Sequence, residues 1–110
     1  MLDDQGFPLR ADEAIDALYR SLLKAADEYD FEADMNNGAL TVEFDDPPAK
    51  FVVSPNSPVR QIWVSAHSKS FKFEWDTSRQ TFVFPDTGED LKAMMSRAVT
   101  QQLGETVSLP

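Results

Sequence analysis

Between Ala39 and Phe84 the chain is a succession of short alternating or apolar runs whose separations are too short for any crossover, and no other feature narrows the fold as much. The first run, Ala39-Leu40-Thr41-Val42-Glu43-Phe44-Asp45, alternates strictly. Leu40, Val42 and Phe44 therefore share one face of a strand, while Thr41, Glu43 and Asp45 share the other. Further strands are predicted at about 50–54, 59–66, 70–76 and 81–84, after a first at about 39–45. They are separated by Asp46-Pro47-Pro48, by Ser54-Pro55-Asn56-Ser57-Pro58, by His67-Ser68-Lys69 and by residues 76–80. Parallel pairing needs a crossover of a dozen residues or so, so gaps of this size specify an antiparallel meander.

Two helical patterns flank these runs. Ile15, Leu18, Tyr19, Leu22, Leu23 and Ala26 recur at the spacing of one helix face, which predicts a helix over about 9–30. Pro8 suits its first turn, Asp12 and Glu13 favour its positive end, and Asn36-Asn37-Gly38 is a turn signal beyond it. Near the other end, Leu91, Met94, Met95, Ala98 and Val99 form a second stripe, predicting a helix over about 88–103 with Thr87 as N-cap, Asp90 reaching back, and Gly104 as C-cap. The order helix, five strands, helix implies an α+β two-layer sandwich, α-β-β-β-β-β-α, with both helices on one sheet face and the other face wet. At 110 residues a single domain over 1–110 is expected.

Charge is unevenly placed. The chain has 19 acids and 10 Lys or Arg, for a net charge of −9. Residues 1–46 hold 13 of those acids against Arg10, Arg20 and Lys24, and no Lys or Arg lies between Ala25 and Ala49. Such a surface repels phosphate backbones and anionic lipid, so neither nucleic acid nor membrane is an expected partner. It attracts cations or a basic protein surface, and solubility is the simpler account of the same charge. No apolar run exceeds three residues, and Met1-Leu2-Asp3-Asp4 is acidic where a signal peptide is basic, so a cytoplasmic protein is expected.

The residue inventory excludes much chemistry. With no cysteine there is no disulfide, thiolate metal site or cysteine nucleophile. The one histidine, His67, sits in a turn without a Gly-x-Ser-x-Gly or Gly-rich loop, so nucleophilic catalysis and nucleotide binding have no footing and no organic cofactor is expected. Oxygen ligands remain, and these select hard cations. Asp30, Glu32 and Asp34 have the opening spacing of a calcium loop, but Met35 stands at its sixth position and Thr41 at its twelfth, so that motif fails. An open carboxylate ridge is left: Asp12, Glu13, Asp16, Asp27 and Glu28 lie off the apolar stripe, and Glu43 and Asp45 point outward from the first strand. Internal neutralisation is the alternative, through the i,i+4 pairs Asp16–Arg20 and Lys24–Glu28. Trp63 is the other unusual residue. With Ile62 and Val64 inward, Gln61, Trp63 and Ser65 face outward and Trp63 becomes an interface anchor; a register slipped by one residue would bury it instead.

These residues resemble the frataxin family, especially its bacterial CyaY-type members, from about Ile15 to Thr106. Gly38-Ala39-Leu40-Thr41-Val42-Glu43-Phe44 is similar to the family's first strand, and Pro58-Val59-Arg60-Gln61-Ile62-Trp63-Val64-Ser65 to its most specific motif. Phe73-Glu74-Trp75 and Thr100-Gln101-Gln102-Leu103-Gly104-Glu105-Thr106 extend the likeness. The resemblance implies a monomeric, non-enzymatic protein that binds Fe2+ and Fe3+ weakly and reversibly and acts in iron–sulfur cluster assembly, as an iron chaperone or a regulator of the cysteine desulfurase. By the same resemblance Asp16, Asp27, Glu28, Asp30, Glu32 and Asp34, with Glu43 and Asp45 nearby, hold the metal, and Asn56, Gln61, Trp63 and Ser65 meet the desulfurase and the scaffold protein. A ferroxidase that stores Fe3+ in iron-dependent oligomers, and a plain acidic interaction module, are the rival readings. The chain departs from the family at Leu22-Leu23-Lys24-Ala25-Ala26, where acids are common, and in a longer turn at 76–80.

Overall fold

In the computed structural model, which describes Asp3 and residues 5–110, the alternating runs pair with their sequence neighbours into one antiparallel sheet. The elements are α1 (Gly6–Ala26), β1 (Glu32–Asn36), β2 (Ala39–Asp45), β3 (Pro48–Asn56), a 3-10 turn (Ser57–Val59), β4 (Gln61–Ala66), β5 (Lys69–Asp76), β6 (Thr81–Val83) and α2 (Leu91–Leu103). Strand order across the sheet is β1 to β6, and both helices lie on one face of it.

The sheet has six strands, not the five predicted, and α1 ends at Ala26 instead of running to about residue 30. The cause is a change of period. After Asp27, the C-cap of α1, the apolar positions become Phe31, Ala33 and Met35, alternating with exposed Glu32, Asp34 and Asn36. Asn37 and Gly38 then take left-handed conformations (φ 54 and 80), the two-residue loop whose twist suits a hairpin. Other boundaries move less. The fourth strand starts at Gln61 because Ser57–Val59 coils into the 3-10 turn and Arg60 closes it with φ 53. The second helix starts at Leu91 with Asp90 as its cap, Oδ1 accepting from the Ala93 N–H at 2.8 Å. Thr87 is not the cap: its hydroxyl bonds Glu89, whose carboxylate is gripped by both Nε and Nη2 of Arg97 at 3.0 and 2.8 Å.

Leu40, Val42, Phe44, Phe51, Val53, Ile62, Val64, Phe73 and Phe82 all point to the helix side and are buried. Onto them α1 lays Phe7, Ala11, Ile15, Leu18, Leu22 and Ala25, a stripe that starts about two turns earlier than the predicted one and leaves Leu23 41% exposed. The early start follows from Asp3, whose Oδ1 accepts from the N–H groups of Gly6 and Gln5 at 2.6 and 3.1 Å. Those bonds stabilise the charged form and hold its carboxyl below the usual range, Gly6 contributing most. Phe7 then meets Phe82 edge-on at 5.8 Å, and Phe44 packs between Phe31 and Phe51 at 5.6 and 4.9 Å. Past Gly104, Val107 and Leu109 are also buried, closing the seam between the helices. Thr100 Oγ1 accepts from Val107 N–H and donates to its carbonyl, Leu109 N–H donates to Ser96 Oγ, and Ser21 Oγ donates to Pro110 O at 2.6 Å.

Two stability tests follow. Leu109→Ala removes a buried side chain anchored to both helices and should lower stability by about 2–3 kcal/mol in urea denaturation, within the range for large-to-small core changes; a loss under about 0.5 kcal/mol would mean the segment is not part of the core. Glu89 is held below its ordinary carboxylate value chiefly by the Arg97 hydrogen bonds, so its contribution is present above the unfolded-state value of 4.5 and is lost as pH falls through the lower folded value. Arg97 is half exposed, so Glu89→Gln should cost under about 1 kcal/mol at pH 7. In denaturation the difference from the parent protein should narrow as pH falls below 4.5 and close once Glu89 is protonated in the folded state as well.

Candidate metal ridge and docking face

The turn after α1 and the first hairpin gather the acids. Asp27 caps α1, Glu28 and Asp30 lie in the turn, and Glu32 and Asp34 project from β1 on the face away from the helices. Register then sets Glu32 directly across from Glu43, and Asp34 across from Thr41. Asp27, Glu32, Asp34 and Glu43 line one groove of about 450 Å³, together with Leu23, Ala26 and Phe31. Neither Lys nor Arg contributes to its wall.

Not every predicted ligand joins this group. Asp16 is bound to Arg20 at 3.1 Å, and lies eleven residues up the helix from Asp27, roughly 16 Å at helical rise. The proposed Lys24–Glu28 pair does not form among the described residues, since the helix has ended before Glu28. Asp45 follows Glu43 on the same outward face, two pairs nearer the turn. Among the described residues no three His, Asp or Glu side chains converge tightly enough to form a finished metal site. The arrangement is an open strip of water-facing carboxylates, suited to partial coordination of a hard cation with water filling the remaining positions. Sequence reasoning missed Lys50, which stands across from Glu43 on the side opposite Glu32. The alternation Lys50-Phe51-Val52 against Val42-Glu43-Phe44 carried that signal.

The second predicted cluster lies on the same open face. Ile62 and Val64 are fully buried, so the register is the one that turns Trp63 outward, where it is 38% exposed. Trp63 Nε1 donates to Gln61 Oε1 at 2.9 Å. Ser54 and Lys72 flank Trp63 on the neighbouring strands, and the Lys72 ammonium sits 5.0 Å from the centre of its ring. Lys72 was not foreseen, although its place between Phe71 and Phe73 puts it on the outward side. Asn56 faces Gln61 at the end of the next row, and Ser65 lies in a row that runs through Val52 and Thr41 to Asp34. The predicted docking residues and the acidic strip are thus continuous on one sheet face.

Two helices on one side of an antiparallel meander, with an acidic first edge and a bare opposite face, define a particular class of α+β sandwich. Residues 1–105 match the family model described as the frataxin-like domain, and the chain belongs to that family. It is 34% identical over 103 residues to the iron-sulfur cluster assembly protein CyaY of Pseudomonas aeruginosa, covering 92% of this chain and 94% of that one. The protein of the same name from Ralstonia nicotianae is 32% identical over 110 residues, covering 98% and 95%. A solved structure of frataxin from Psychromonas ingrahamii superposes with a TM-score of 0.74 over 97% of each chain; at 22% identity that likeness is one of fold.

The Glu32–Glu43 pair yields a direct electrostatic test. Like charges across a ladder destabilise it, so Glu32→Gln should raise stability by about 0.2–1 kcal/mol at low salt. The gain should shrink in 1 M salt, where the screening length is about 3 Å. Destabilisation by Glu32→Gln in urea titrations, or a gain unaffected by salt, would show that the two carboxylates do not repel.

Proposed function

We propose that the protein acts in iron–sulfur cluster assembly as a non-enzymatic partner of the assembly machinery, carrying Fe2+ or Fe3+ on its acidic strip and docking on the cysteine desulfurase and its scaffold through the open face. The names of its relatives support the assembly role. The observation that carries the metal reading is the register that sets Glu32 against Glu43 beside Asp27 and Asp34, in a groove whose wall has no cation. Carboxylate oxygens favour hard cations, and a bound dication relieves the repulsion between facing carboxylates. Because the strip is open, several metal positions stay with water, so binding is weak and reversible, as suits cargo. Asp30 and Glu28 at the turn and Asp45 along β2 extend the capture surface; Asp16, neutralised by Arg20, adds least.

On the docking side, Trp63 is the anchor. An exposed aromatic held by Gln61 loses little freedom on binding, and Ser65 and Asn56 supply polar contacts around it. The strip itself complements a basic surface, and metal on the strip would weaken that attraction. Iron occupancy and docking are therefore coupled, with the protein monomeric in the absence of iron.

A ¹⁵N-HSQC titration with anaerobic Fe2+, with Mg2+ as the hard-cation control, tests the metal half. Broadening should be confined to residues 27–34 and 43–46, and the double change Glu32→Gln, Glu43→Gln should weaken binding at least fivefold. Broadening spread evenly over all surface acids would overturn the strip as a site. Trp63→Ala tests the docking half: the affinity for a desulfurase–scaffold complex should fall at least tenfold, and unchanged affinity would remove the open face from the interface.

A further inference from the structure

The end of the β4–β5 hairpin encloses a cavity of about 200 Å³ against α2, and its wall differs from every acidic surface described above. Lys69 and Phe71 enter from β5, and Met94, Arg97 and Gln101 from α2. In a chain of net charge −9, this wall holds Lys69 and Arg97, the latter paired with Glu89, and among the described residues no carboxylate lines it. Lys69 shares the helix-facing side of β5 with Phe71 and Phe73, and it is the charged member of that row. Among the described residues no carboxylate lies within ion-pair distance of it. Arg97 engages Glu89 through Nε and Nη2, which leaves Nη1 for another acceptor.

The mouth is fixed by His67. Its Nε2–H donates to the Ala98 carbonyl at 3.0 Å, and its ring meets Phe51 edge-on at 5.0 Å. His67 and Ser68 are both left-handed (φ 52 and 61), although neither is glycine. Positive φ at both residues is what the two-residue loop of the β4–β5 hairpin requires, and here it is met without glycine. The imidazole contacts hold this turn closed over the cavity.

Size and wall chemistry narrow the occupant. An apolar cavity of about 150 Å³ accepts benzene. A slightly larger one, walled by Phe71 and Met94 and rimmed by Lys69 and Arg97, suits a ring-sized body with one anionic head. We propose that the cavity binds a small organic oxyanion, a carboxylate or a phosphate ester, with its head between Lys69 and Arg97 and its body against Phe71 and Met94. The site lies on the helix side of the sheet, three strands or roughly 14 Å from Glu43, and does not depend on the metal strip.

A ¹⁵N-HSQC titration with benzoate, phenyl phosphate and neutral benzamide tests this. Benzoate or phenyl phosphate should give saturable shifts at Lys69, Phe71, Arg97 and Gln101, with benzamide at least tenfold weaker; the tighter of the two anions identifies the head group as carboxylate or phosphate. Lys69→Met, which keeps the stem and removes the charge, should weaken anion binding at least fivefold. Gln101→Glu, an exposed position, should do the same by repulsion. Equal binding of benzamide, shifts spread without saturation over Lys50, Lys72 and Lys92, or unchanged affinity in both variants would overturn the proposal.

Discussion

The seating of α1 on the apolar face of the sheet is the contact on which the acidic strip depends. Phe7, Ile15, Leu18 and Leu22 lie against strands whose inward residues are nearly all aromatic or β-branched. Because side chains alternate along a strand, that face can be covered only when Thr41, Glu43 and Asp45 on β2 and Glu32 and Asp34 on β1 all point away from the helices. A slip of one residue would bury three or four carboxylates together, at several kcal/mol apiece. The acids therefore police the register as firmly as the phenylalanines reward it, and the geometry of the strip is a by-product of core packing.

Much of this was legible in the residues because periodicity records burial. The run from Ala39 to Asp45, the inward Ile62 and Val64, and the stripe from Leu91 to Val99 each carry a clean period, and each lies where its pattern puts it. What was misread lies where two periods abut. Ala26 completes a helical stripe while Phe31, Ala33 and Met35 open an alternating one, and the acids between them fit either. The Asn37-Gly38 pair was the deciding signal, since a two-residue hairpin loop needs a strand on each side. Val107 and Leu109 offered less: two apolar residues in a polar segment make no period, and their burial depends on Ser21, Ser96 and Thr100 from two distant helices.

The departure at Leu22-Leu23-Lys24-Ala25-Ala26 also acquires a physical meaning. Leu22 and Ala25 are core residues, so of this stretch Leu23, Lys24 and the half-buried Ala26 reach solvent, and none is an acid. The supply of carboxylates starts at Asp27 and is concentrated in the turn and the edge hairpin, while Asp16 stands apart with Arg20. That concentration also bears on the sheet edge. β1 is an edge strand with one side unpaired, and charged outward residues are a common defence against edge-to-edge association. Glu32 and Asp34 thus guard an exposed ladder at the sheet edge.

Sharing one face between strip and tryptophan has a consequence for any partner. The rows across the sheet carry Asp34 to Ser65 and Ser54 to Lys72, so a protein that covers Trp63 reaches toward the acids within two strands. Lys72 lies over the indole ring, and Lys50 lies between the acids and the centre of the face. A partner presenting only basic groups would gain at the strip and lose at both lysines. Charge on this face is therefore divided, acidic along β1 and β2 and basic around Trp63, and the two lysines set where that boundary falls.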